Sequence, residues 1–193
     1  MVFQFKIQIE DIAKPPVWRR LTVPAKFTFT KFHRVLQAAF DWEEAHLFQF
    51  APTGWGSSPV INIPDPDFSF MDEDSGAEKL HATKTKLSDI FTAEGQTYVY
   101  TYDFGDDWQH RITLEKISAS EAKTADCLAG KGAAPPEDCG GPWGYEELKE
   151  TMSDPKHSDY EDMREWLGLE ADEGWDAKAF DLAEVQQRLK QVR

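Results

Sequence analysis

The chain has 193 residues, a formal charge of −14, 40% apolar and 13% aromatic residues. Seven basic against five acidic side chains in residues 1–50 (+2) give way to fourteen against thirty in 51–193 (−16). That imbalance disfavours nucleic acid, which is held chiefly by Lys and Arg on phosphates. It leaves Arg19, Arg20, Lys26, Lys31 and Arg34 as the one local basic region. No apolar run approaches the ~20 residues of a membrane span, and Met1-Val2-Phe3-Gln4-Phe5 reads as a strand rather than a leader. We therefore expect a cytoplasmic protein with no membrane partner, 1–193 forming a single domain that is sheet-rich over 1–117 and made of loop and helices over 118–193.

Phe3, Phe5, Ile7 and Ile9 alternate with Gln4, Lys6 and Gln8, the period-two pattern of a half-buried strand. Pro15-Pro16 breaks the chain, and Val17 to Val23 reads as a second strand. Arg19 shares a face there with Val17, Leu21 and Val23, while Trp18 and Arg20 share the other. Thr28 or Thr30 is placed to cap a helix running to about Phe40, with Phe29, Phe32, Leu36, Ala39 and Phe40 on its buried face. His46 to Phe50 is a third strand, and a lone His46 reads as a residue hydrogen-bonded within the fold. Residues 51–78 form a long loop with a short strand near Val60, Ile61 and Ile63 and an acidic run Asp72-Glu73-Asp74.

Tyr98, Tyr100 and Tyr102 share one strand face, as do Trp108, His110, Ile112 and Leu114. Asp103-Phe104-Gly105-Asp106-Asp107 connects them with residues that tolerate turn geometry. A β-hairpin follows, and it gathers three aspartates and a histidine. Residues 118–144 read as irregular. Helices are expected over Tyr145–Met152 and Asp159–Leu167, with a last one starting at Asp176 or Asp181. Strands early and helices late predict an α+β fold: a mixed or antiparallel sheet with helices packed on one side and a helix-rich C-terminal third.

Two segments carry the candidate chemistry. In the hairpin, Asp103, Asp106 and His110 offer carboxylates and an imidazole for a divalent metal, which would lower the pKa of a bound water. In Pro135-Pro136-Glu137-Asp138-Cys139-Gly140-Gly141, paired prolines and glycines frame Glu137, Asp138 and Cys139, a preorganised arrangement. Asp103, Asp106, His110, Glu137 and Asp138 are the catalytic candidates. Asp106, His110, Cys127 and Cys139 are the metal-ligand candidates. Trp18, Arg19, Arg20 and Trp108 are the binding candidates. Cys139 as a nucleophile would need a base, for which His110 is the attractive partner. The bland reading keeps all of these in turns, caps, salt bridges and core. No phosphate loop, dinucleotide fingerprint, paired-histidine zinc motif or Gly-x-Ser-x-Gly elbow is present.

With Pro15-Pro16-Val17-Trp18-Arg19-Arg20 upstream, the hairpin segment and the Pro135–Gly141 loop in this order, the chain resembles the Ri-plasmid open-reading-frame-three-like family, some members of which are known as the TnpR-type passenger protein of an insertion element. The resemblance spans nearly the whole chain and implies no defined activity. It implies a second histidine at position 48, where this chain has Phe48. The expected role is a binding or interaction module associated with plasmid or transposon-type mobile elements, with another protein as partner. The alternative is a metal-dependent hydrolase or nuclease, which requires the hairpin turn and the Pro-Pro-Glu-Asp loop to converge. A DNA-binding accessory protein using Trp18, Arg19 and Arg20 is the third reading.

Overall fold

Alternation along β1 (Val2–Ile9) puts Phe3, Phe5, Ile7 and Ile9 in the core and leaves Gln4, Lys6 and Gln8 half-buried. In this computed structural model, which describes residues 1–64 and 76–192, β1 lies near the middle of a single sheet. The remaining elements are β2 (Trp18–Pro24), α1 (Phe29–Phe40), β3 (Phe48–Ala51), β4 (Val60–Asn62), β5 (Lys79–His81), α2 (Leu87–Ile90), β6 (Thr97–Tyr102), β7 (Trp108–Ser118), β8 (Asp126–Lys131), α3 (Gly141–Ser153), α4 (Tyr160–Trp166) and α5 (Leu182–Leu189). Among the described residues, eight strands run in the order β5-β4-β3-β6-β7-β1-β2-β8. Neighbours are antiparallel except β4 and β5, which are parallel. The architecture is α+β with a mixed sheet, as the strand-then-helix order predicts. No helix is long and apolar enough to cross a membrane among the described residues.

The helical spacing of Phe29, Phe32, Val35, Leu36, Ala39 and Phe40 lays α1 against one face of the sheet. Aromatic edges and faces interlock there: Phe32 with Phe5 at 5.2 Å, Phe29 with Phe50 at 4.9 Å and Phe40 with His110 at 5.0 Å between centroids. Such pairs add stability beyond area burial. Thr28 caps α1 by accepting from Lys31 N. At the other end Asp41 takes a left-handed conformation (φ 63°), a geometry Asp tolerates better than most residues. That reversal directs the chain out of α1 toward the β6–β7 end of the sheet.

Several boundaries differ from the sequence expectation, among them the start of α3, which lies at Gly141 rather than Tyr145. Residues 118–144 are not wholly irregular, because β8 pairs with β2 at the sheet edge. Its sequence, Asp-Cys-Leu-Ala-Gly-Lys, has too few apolar residues to announce a strand. Gly130 is needed there, since a Cβ would lie 2.3 Å from the Phe180 ring. β5 likewise forms from the short polar segment Lys79–His81. In addition, β3 begins at Phe48 rather than His46, which leaves His46 on the connector. The acidic run Asp72-Glu73-Asp74 lies outside the described residues.

Candidate metal centre

The connector from α1 to β3 is pinned residue by residue. Trp42 N donates to Gln37 O at 3.0 Å, Glu43 N to Glu137 Oε1 at 2.8 Å, Glu44 N to Gln37 Oε1 at 2.9 Å and Ala45 N to the Tyr102 hydroxyl at 3.0 Å. Every backbone donor before His46 is thus used, so the imidazole is carried on a fixed stem.

The hairpin turn comes up beside it. Asp103 and Asp107 both adopt positive φ, each 53°. Asp107 N donates to Asp103 O at 2.7 Å, and Asp103 Oδ1 accepts from Gly105 N at 2.9 Å. The Asp103 carboxylate therefore spends one oxygen on its own turn. The other, Oδ2, lies 3.7 Å from His46 Nε2.

The Pro135–Gly141 loop closes the third side. Trp42 Nε1 donates to Pro135 O at 2.8 Å, and Gly140 N donates to Asp106 Oδ2 at 3.1 Å. Glu137 Oε1 accepts from the Tyr102 hydroxyl at 3.0 Å as well as from Glu43 N. Its Oε2 is left 3.9 Å from His46 Nε2. Asp138, with φ 56°, brings Oδ1 to 3.0 Å from the same nitrogen. The hairpin turn and the Pro-Pro-Glu-Asp loop do converge, as the metal-dependent reading requires.

His46 Nε2 is the focus of this arrangement. It is shielded from solvent and makes no hydrogen bond, although three carboxylate oxygens from two separate loops face it. His46, Asp103 and Asp138 offer ligand atoms within 4.8 Å of one another. An imidazole nitrogen faced by carboxylates, with Asp103 and Glu137 oriented by backbone N–H groups and a hydroxyl, presents the donor types that divalent metals take. Glu137 is the most strongly oriented of the three, and its neighbour Tyr102 has a phenol held well above its ordinary pKa by burial and by the Glu137 charge.

The other candidates from the sequence lie elsewhere. Asp106 serves the loop contact to Gly140 rather than His46. His110 is fully buried, its ring packed on Phe40, Trp42 and Tyr100. Its Nδ1 lies 3.0 Å from Trp108 O, so the proton sits on Nδ1, and burial lowers its pKa to about 4. Trp108 is buried beside it. Cys127 is buried in β8, with its Sγ 3.5 Å from Ala129 O and its thiol pKa raised by burial. Burial, followed by the charge of Asp106, pushes the Cys139 thiol up to about 12, the opposite of what a nucleophilic cysteine needs.

Arg19 is buried and donates to the carbonyls of Ala39, Trp18, Lys131 and Gly132. Its guanidinium also lies over Phe40 and Phe180, at 5.1 and 4.8 Å. Arg20 makes a two-pronged pair with Glu115 at 2.7 and 2.9 Å and lies over the Trp18 ring. Both arginines are occupied within the fold.

The sequence expectation that His46 is hydrogen-bonded within the fold is corrected here, since its Nε2 makes no hydrogen bond. Its partners are remote in sequence, and only the β3–β6–β7 order brings them together. Phe48, where the resemblance implies a second histidine, is turned inward and stacks on His33 with centroids 3.8 Å apart. The donors around His46 here are carboxylates.

Known proteins resemble this chain over most of its length. The uncharacterized protein y4hQ of Sinorhizobium fredii is 34% identical over 169 residues, covering 86% of this chain and 81% of that protein. A crystal structure of a protein of unknown function, MM3350 from Methanosarcina mazei Go1, superposes with a TM-score of 0.75 at 38% identity, covering 95% of this chain and 96% of that one. The family profile for plasmid pRiA4b ORF-3-like protein matches residues 1–184, and the chain belongs to that family.

Proposed function

We propose that this protein binds a divalent metal ion through His46, Asp103, Glu137 and Asp138 and uses it in hydrolytic chemistry. The observation that carries the reading is His46 Nε2: shielded, without a hydrogen bond, and faced by three carboxylate oxygens at 3.0 to 3.9 Å. Like charges converge there, and a divalent cation is what offsets them. One imidazole with carboxylates suits manganese, iron or zinc, and without thiolates it does not suit a soft ion. Bound metal would supply a water of lowered pKa. The chain's own part is to fix the donors: Gly105 N orients Asp103, and Glu43 N with the Tyr102 hydroxyl orients Glu137.

The test is metal content and thermal stability of protein purified without chelator or affinity metal. The reading expects about one equivalent per chain, lost in His46→Ala, and a rise in Tm on adding manganese or zinc that His46→Ala does not show. A metal-free wild type with no such rise would remove it.

A second reading, an interaction module, is supported by Trp143 and Trp166, which are 88% and 50% exposed. The family's name, which records a plasmid reading frame, supports an association with mobile elements. Two free cysteines support a cytoplasmic setting. The net charge and the internal engagement of Arg19 and Arg20 support a partner other than nucleic acid.

A further inference from the structure

Between α3 and α4 runs an open groove of about 330 Å³ that begins at Asp138 and Cys139. Leu148, Met163 and Trp166 give it apolar walls, and Asp138, Asp159 and Asp162 line it with carboxylates. No Lys or Arg is among its lining residues. Asp162 has no ion pair among the described residues, and Asp159 meets only His157, at 3.9 Å. Neither α4 nor its flanks contributes a buried residue, so this surface is not held in reserve for the core. Trp143, which precedes the groove residue Gly144 on α3, is 88% exposed.

We propose that this groove is a docking site for a polypeptide segment carrying an arginine or lysine side chain. Charge complementarity on an apolar floor selects that occupant. A basic side chain has an aliphatic stem and a cationic head. The stem matches Leu148 and Met163, and the head matches Asp159 and Asp162 together with the face of the half-exposed Trp166 indole. A phosphate or an acidic peptide would meet the carboxylates of Asp159 and Asp162, with no Lys or Arg to receive it. A lone small amine would leave the apolar walls at Leu148, Met163 and Trp166 uncovered, whereas a side-chain stem and the peptide on either side of it cover them. The inference does not depend on metal at His46, because neither Asp159 nor Asp162 faces that nitrogen.

The test is a titration of the full-length protein with acetyl-Ala-Arg-Ala-amide and, separately, acetyl-Ala-Glu-Ala-amide. The readout is the indole N–H signal of Trp166 in ¹⁵N-labelled protein, assigned by its loss in Trp166→Phe. The arginine peptide should shift that signal saturably and the glutamate peptide should not. The Asp159→Asn/Asp162→Asn double variant should bind about fivefold or more weakly, as expected for two partly exposed charge pairs. The Asp159 side chain makes no cap hydrogen bond to α4, so the variant keeps the helix, and unchanged far-UV and near-UV circular dichroism spectra verify helix and packing. Equal shifts with both peptides, no shift with either, or undiminished binding by the double variant would overturn the proposal. A Trp166 signal that moves with protein concentration instead would assign the groove to a second copy of the chain and overturn it as well.

Discussion

Gly141 lies so close to Asp106 that a Cβ on the glycine would stand 2.6 Å from the Asp106 carbonyl oxygen. The neighbouring Gly140 N donates to the Asp106 carboxylate at 3.1 Å. These contacts join the Pro135–Gly141 loop to the hairpin turn and so set the distance between Asp138 and Asp103 on either side of His46. Gly141 also has φ 70°, which a side chain resists. Both constraints fall on one residue, because backbone approach and left-handed geometry are what glycine alone supplies without penalty.

Gly141→Ala should therefore lower stability by about 2 kcal/mol or more, from positive-φ strain plus displacement of a backbone carbonyl. It should also weaken metal binding more than a substitution of equal stability cost elsewhere, such as Ile7→Val. Thermal denaturation with and without manganese checks both. A Gly141→Ala protein with wild-type stability would show that the loop and turn are not locked together.

Tyr102→Phe removes one hydroxyl that serves two loops. The hydroxyl donates to Glu137 Oε1 and accepts from Ala45 N at 3.0 Å each. The expected loss is about 1–2 kcal/mol, because Ala45 N–H is left without its partner. Glu137 then loses one of its two orienting donors, and metal affinity should fall with little change in the metal preferred. Isothermal titration with manganese measures it.

Arg19 is a buried cation that donates to the carbonyl oxygens of Ala39, Trp18, Lys131 and Gly132. Burial lowers its pKa to about 10. Arg19→Lys should lose about 2 kcal/mol or more, because an ammonium can neither span those carbonyls nor stack between Phe40 and Phe180. Urea denaturation of the variant is the check, and a wild-type midpoint would contradict the role given to the guanidinium.

Acid should destabilise the fold through two buried imidazoles. Burial lowers the pKa of His110 to about 4 and of His33 to about 3, against about 6.5 in an unfolded chain. Below that value the unfolded state binds more protons than the folded one, so stability falls as pH drops. The loss runs from about pH 6.5 down to about 4 for His110 and about 3 for His33, and amounts to roughly 3 kcal/mol for His110. His110→Gln should flatten the slope of stability against pH between those limits by close to one proton. Identical slopes in the two proteins would place the titration elsewhere.

Much of the sheet was readable because single residues announce it. Alternation of Phe3, Phe5, Ile7 and Ile9 gives β1, and the spacing from Phe29 to Phe40 gives α1 and its buried face. The hairpin was legible from the tyrosine and Trp-His-Ile-Leu stripes, and the partition of Arg19 and Arg20 to opposite faces follows from strand period alone. His46 was not legible, because its meaning lies in which loops β3, β6 and β7 bring to one end, and a single sequence does not state strand order. His110 illustrates the converse. It shares the strand face of Ile112 and Leu114, and that period places it in the core, while its nearness in sequence to Asp106 and Asp107 suggests a ligand. Side-chain direction, not proximity along the chain, decided where it went.

The most direct measurement is a crystal structure of the protein grown with manganese, with anomalous scattering recorded to locate the ion. The account predicts an anomalous peak within ~2.3 Å of His46 Nε2, the distance of a metal–ligand bond, with Asp103 Oδ2 and Asp138 Oδ1 in its shell. A map with no peak there, and with His46 Nε2 rotated into a hydrogen bond with Asp138, would contradict it.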